Sequence, residues 1–180
     1  MKYTALFLTA MFSTASLATT HWVTGSPYPG NPLKTATLQG EAQFGEQRDN
    51  AWLVLSCRPD SPPALLTLRV AGALLADFPL DDFEGPDAIG EHTPRVQVLS
   101  HEQVQTHSQA WTASGAWQES NFTWTITPTV QALNQWLHGK DHILRVVISQ
   151  AAAGKPPLTA RFTLPDEPRQ AEQVLRPCGP

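Results

Sequence analysis

From Lys34 to Leu164, apolar residues recur at every second position in one stretch after another. Leu66, Leu68 and Val70 alternate with Thr67 and Arg69, and Phe122, Trp124 and Ile126 alternate with Thr123, Thr125 and Thr127. Leu144, Val146 and Ile148 alternate with Arg145 and Val147, and Leu158, Ala160, Phe162 and Leu164 alternate with Thr159, Arg161 and Thr163. A period of two is the period of a strand with one buried face. Ala36 and Leu38, extended by Ala42 and Phe44, mark a Thr/Gln-rich first strand, and Val96 and Val98 mark another. Trp52 to Cys57 is apolar on both faces, which predicts a central strand with Trp52 in the core beside Trp124. Connections of roughly 5–10 residues are too short for the crossover that parallel neighbours need. The expected fold is therefore mainly β, with an antiparallel β-sandwich-like core.

Two short helices interrupt the strands, near 128–138 and 167–176. In the first, Thr127 suits the N-cap and Pro128 the first helical position, Val130, Leu133 and Leu137 share a face, and Gly139 suits a left-handed end. In the second, Asp166 suits the cap, and Ala171, Val174, Leu175 and Cys178 fall on one face. The Pro/Gly/Ser-rich run from Thr20 to Leu33 reads as an extended lead-in.

The N-terminal run MKYTALFLTAMFSTASLA has one cation, a short apolar stretch and small residues at Ser16 and Ala18. It reads as a cleavable secretory signal over 1–18, leaving a single periplasmic β-rich domain over 19–180. No later run is long and apolar enough to span a bilayer, so no membrane span is expected after cleavage. Two cysteines remain, Cys57 and Cys178. An even pair in an exported chain predicts a disulfide, and closing so long a loop limits the unfolded ensemble by roughly 4–5 kcal/mol. A redox or nucleophilic thiol needs a CxxC or an activating neighbourhood, and neither is visible.

Little else in the chain carries chemistry. His138 and His142 have a metal-ligand spacing, but Gly139 interrupts the helix between them and there is no HExxH. His101 and His107 flank a Gln-rich stretch, HEQVQTHSQ, read as a solvent-facing or edge strand. Ser100–His101 and His107–Ser108 are neighbours in sequence only, and no GxSxG elbow exists. Asp81, Asp82, Glu84 and Asp87 form an acidic loop between Pro79 and Pro86; its spacing is not that of an EF-hand, leaving a solvated turn, or a calcium or partner contact. Of six tryptophans, Trp111 and Trp117 bracket Ser114-Gly115 and are the candidates for exposure. The candidate partner-contact residues are thus Trp111, Trp117, Asp81, Asp82 and Glu84. No catalytic residue, metal or cofactor is assigned. With a net charge of −4, the chain lacks the basic patch of a nucleic-acid binder.

The order of features also carries a resemblance. A strand ending LVLSC (Leu53 to Cys57) precedes LLTLRV, a Trp/Ser segment AWTASGAW, the helix-turn-strand LNQWLHGKDHILRVVI, a strand LTARFTL and a closing LRPCG. Over roughly Lys34 to Gly179 this resembles the VasI/TagO family of exported proteins associated with bacterial type VI secretion. The resemblance implies a non-enzymatic periplasmic accessory protein that binds another periplasmic or cell-envelope protein, such as a secretion-system component. Two alternatives stand beside it. One is a periplasmic immunity protein or inhibitor that captures a basic cell-wall hydrolase through charge complementarity. The other is a wall-glycan binding module that stacks sugars on Trp111 and Trp117.

Overall fold

The computed structural model describes residues 21–100, 109–140 and 142–179. The signal assigned to 1–18 and the histidines His101 and His107 lie outside them. Ten strands form one sheet: β1 (Val23–Gly25), β2 (Lys34–Phe44), β3 (Gln47–Cys57), β4 (Leu65–Ala71), β5 (Val96–Leu99), β6 (Gln109–Trp111), β7 (Ser114–Gln118), β8 (Asn121–Ile126), β9 (Ile143–Ile148) and β10 (Leu158–Thr163). The helices are α1 (Ile89–His92), α2 (Val130–Leu137) and α3 (Arg169–Leu175). The strand order is β6-β5-β9-β10-β2-β3-β4-β8-β7, and every strand pairing is antiparallel.

Two features turn this sheet into a sandwich-like body. The terminal strands β6 and β7 are consecutive in the chain, with only Thr112 and Ala113 between them. Trp111 and Ser114 can then be no more than about 10 Å apart, so the sheet curls until its two ends meet at that corner. The sheet also forks at β2. Thr35 to Thr37 pair with β1, and Glu41 to Gln43 pair with β10 on the same edge. Gly40 sits at the fork, where a Cβ would lie 2.3 Å from the Arg161 carbonyl oxygen and 2.4 Å from the Phe162 ring. Only glycine lets β10 approach this closely.

In β2, β3, β4, β8, β9 and β10 the inward positions are apolar and buried, and they close one core, whereas β1 and β7 bury no residue fully. Leu38, Leu53, Leu55, Leu66, Leu68, Phe122, Trp124, Val146 and Phe162 are all buried. In β3 the alternation is stricter than the sequence suggests: Leu53, Leu55 and Cys57 are buried, while Trp52, Val54 and Ser56 are half-buried on the outer face. Trp52 is therefore not a core residue. It is paired with Arg69 across β3–β4, whose guanidinium lies 4.7 Å from the ring centroid. The lead-in also does more than extend, since Trp22 is buried among Leu53, Leu55, Leu66, Leu133 and Trp136.

Helix α3 covers the core with the expected face, Ala171, Val174 and Leu175, and α2 does so through Leu133 and Leu137 as expected but with Ala132 and Trp136 beside them, Val130 being only half-buried. Their caps differ from expectation. Thr129, not Thr127, caps α2, its side-chain oxygen accepting from the Ala132 N–H at 3.2 Å. The helix starts two residues later because Pro128 is spent in the approach to the cap. Gly139 is not left-handed; the positive φ, 46°, falls on His142. Asp166 does not cap α3, whose N-cap is Pro168 with no side-chain bond. Cys57 at the end of β3 and Cys178 after α3 form a disulfide, with Cα atoms 5.8 Å apart and a sequence separation of 121. Among the described residues, no helix is long and apolar enough to cross a membrane.

Candidate functional site

The connection from β4 to β5 is an insert of 3-10 turns at Gly72–Leu75 and Leu80–Asp82 followed by α1. Aromatic residues fix it over one end of the curled sheet. Phe78 lies edge-on to Phe44 and Trp124, with centroids at 5.3 Å and 5.9 Å, and Phe83 lies edge-on to Trp124 at 6.0 Å. With Phe78 and Phe83 turned inward, the carboxylates between them turn outward. Asp81 and Glu84 are exposed, and Asp82 is half-buried, accepting from the Ala151 N–H at 3.1 Å. Asp77, Asp81, Asp82, Glu84, Asp87 and Glu91 follow one another with no Lys or Arg between Arg69 and Arg95.

The insert lies against the terminal strand β7. Glu84 bridges to Gly115, whose N–H donates to the Phe83 carbonyl at 2.7 Å, and the Ala113 N–H donates to the Gly90 carbonyl at 2.8 Å. Gly115 permits this approach, because a Cβ there would meet Phe83 and Phe122 at 2.7–2.8 Å. Beyond the bridge, Trp117 stands on the same strand, 48% exposed, with its ring edge-on to Phe122 at 5.4 Å. The structure thus joins Glu84 to the strand that carries Trp117. Glu119, in the turn that follows β7, places another carboxylate at the strand's far end.

Trp111 belongs elsewhere. It is buried, 9% exposed, with its ring edge-on to Trp136 of α2 at 5.3 Å. The expected exposure of this residue is overturned: β6 turns it inward as the sheet curls, so it cannot form a paired stacking platform with Trp117. The two histidines weighed as metal ligands face different partners, His138 Nε2 meeting Glu172 at 3.3 Å and His142 Nδ1 meeting Asp166 at 3.7 Å. Among the described residues, no group of three metal-ligating side chains converges.

The structure also gathers residues that the sequence reading did not single out. Arg145 of β9 is directly opposite Arg161 of β10, which is opposite Glu41 of β2. These side chains, with Arg48 of β3, line an outward cleft of about 320 Å³. Their positions are spread over the chain, and each reads singly as the polar half of an alternating strand. Only the strand order makes them neighbours. A smaller hollow of about 240 Å³ lies between α2 and α3 beside Cys178. Compared with protein-family models, curated proteins and solved structures, the chain has no match in any of the three.

Proposed function

We propose that this chain is a non-enzymatic periplasmic binding protein that docks another cell-envelope protein through the acidic insert and Trp117. The VasI/TagO resemblance supports the narrower reading of an accessory protein of a type VI secretion system. The observation that carries the binding reading is a large, half-exposed indole on a terminal strand that Glu84 bridges at Gly115, Glu84 belonging to an insert with no Lys or Arg between Arg69 and Arg95. Aromatic anchors with a charged rim are the usual makeup of a docking surface, the aromatic supplying affinity and the rim supplying steering. The bridged, export-compatible core supports a rigid scaffold for it.

The test is crosslinking in the periplasm followed by pull-down, comparing the parent with Trp117→Ala and with Asp81→Lys/Glu84→Lys. Recovery of a secretion-system component by the parent, and its loss in both variants, is the expected result. Recovery that neither variant alters, or no such component at all, refutes the reading. The cation-free insert also favours a second reading, capture of a basic cell-wall hydrolase as an immunity protein or inhibitor. It requires that the purified protein inhibit such a hydrolase, with inhibition weakened by Asp81→Lys/Glu84→Lys and by added salt.

A further inference from the structure

We propose that the arginine cleft over β9, β10, β2 and β3 is a binding site for a small polar ligand carrying a carboxylate, such as an acidic sugar. The site is a product of the fork. Pairing between β10 and β2 stops at Arg161 and Glu41, so the strands part there and leave a hollow of about 610 Å³ that shares Glu41, Arg48 and Arg161 with the cleft. Among the described residues, three guanidinium groups and one carboxylate line the cleft, in a protein whose net charge is −4. Long-range attraction by the whole molecule therefore does not favour anions, and local recognition must do so.

Guanidinium is the side chain suited to that task. Its planar fork matches a carboxylate with two parallel hydrogen bonds. The cleft already holds one such pair, since Arg48 Nη1 lies 3.2 Å from Glu41 Oε1. Both of those side chains are more than half exposed, so the pair is open to exchange with a ligand carboxylate. Arg145 and Arg161 have contacts of their own within the fold. A guanidinium carries five N–H donors, enough to hold a partner within the fold and a ligand carboxylate together. Gln39, Asn50 and Thr163 in the adjoining hollow supply neutral hydrogen-bonding groups, and Gln39 Nε2 already donates to Asn50 Oδ1 at 3.0 Å. The hollow is also lined by Asp49, so a ligand carboxylate is directed to the arginines of the cleft and its hydroxyls to the amides, hydroxyl and carboxylate of the hollow. Glu41 acts as an internal competitor for the same arginines.

Calorimetric titration of the full chain with glucuronate, glucose and inorganic phosphate tests this. Saturable glucuronate binding that weakens with salt, with none for glucose, is expected. Arg161→Gln and Arg145→Gln each lower affinity about tenfold, and Arg161→Lys, which keeps the charge but loses the fork, also weakens it. Glu41→Gln tightens binding several-fold, a gain that a damaged fold cannot produce. Arg48→Gln, at an exposed position, keeps the test usable if a β9 or β10 variant fails to fold. Equal binding of glucose, binding of phosphate without glucuronate, no saturation at millimolar glucuronate, or Glu41→Gln without effect overturns the proposal.

Discussion

Replacing Gly40 by alanine probes the fork that shapes the sheet. The added methyl meets a backbone carbonyl at 2.3 Å and the Phe162 ring at 2.4 Å and 2.8 Å, all shorter than real Cβ contacts. The ring can rotate or be trimmed, but the Arg161 carbonyl belongs to the β10 ladder and moves only with that strand. Overpacking of this kind costs about 1–3 kcal/mol, and a backbone obstacle puts Gly40→Ala at the upper end. The stiffer unfolded chain returns about 0.4–1 kcal/mol, leaving a net loss of roughly 2 kcal/mol. For a chain of this size that lowers Tm by about 4–8 °C and the urea midpoint by roughly 1 M. Urea unfolding followed by Trp fluorescence measures it. A double variant with Phe162→Leu separates the obstacles: trimming the ring restores only part of the lost coupling, because the carbonyl remains. A neutral Gly40→Ala, or full rescue by Phe162→Leu, refutes the argument that β10 backbone approach requires glycine here.

Other positions test the remaining assignments. Removing the disulfide with Cys57→Ala/Cys178→Ala opens a loop of 121 residues' separation and costs about 5 kcal/mol in the chain-entropy model, lowering Tm by about 10–20 °C in a calorimetric scan. Trp111→Ala, which empties a buried site against Trp136, costs about 3–5 kcal/mol in denaturant unfolding. Trp117→Ala costs roughly 1–2 kcal/mol, and equal losses at the two positions would contradict their different burial. Thr129→Ala removes the α2 cap for about 1 kcal/mol, whereas Thr127→Ala changes unfolding by less than about 0.5 kcal/mol.

Strands were legible wherever burial is one-sided, because alternation records burial directly. β4, β8, β9 and β10 all fall where Leu66, Phe122, Leu144 and Leu158 open their alternating runs. Strands β1, β6 and β7 were not legible, since three to five residues are too few to establish a period and Trp111 and Trp117 stand alone in theirs. The disulfide was readable from the parity of the cysteines and the face shared by Ala171 and Cys178. Capping shifted by two residues because Thr127 and Thr129 flank the same proline and either could accept from the first turn. Of the candidate contacts, the acidic loop was visible as composition. The burial of Trp111 was not, because it depends on α2 arriving from elsewhere in the chain. The arginine cleft was invisible for the same reason: the strand order β9-β10-β2-β3 is a property of the assembled sheet.

Charge distribution separates the two surfaces in kind. The strands carry cations at outward positions, as Arg145, Arg161, Arg48 and Arg69 do, where a long side chain can lie along the sheet and meet a neighbour. From Asp77 to Glu91 the insert's charged residues are all carboxylates; Phe78 and Phe83 anchor it in the core, and of the carboxylates Asp82 is bonded to the body, accepting from the Ala151 N–H. Like charges within a Debye length of about 8 Å repel, so placing a lysine among them would relieve repulsion without touching the aromatic anchor. Stability therefore does not explain the missing cations. On the reading proposed above, an insert anchored by buried aromatics, acidic in sequence from Asp77 to Glu91 and bridged to the strand of an exposed indole, is shaped for a partner rather than for the core.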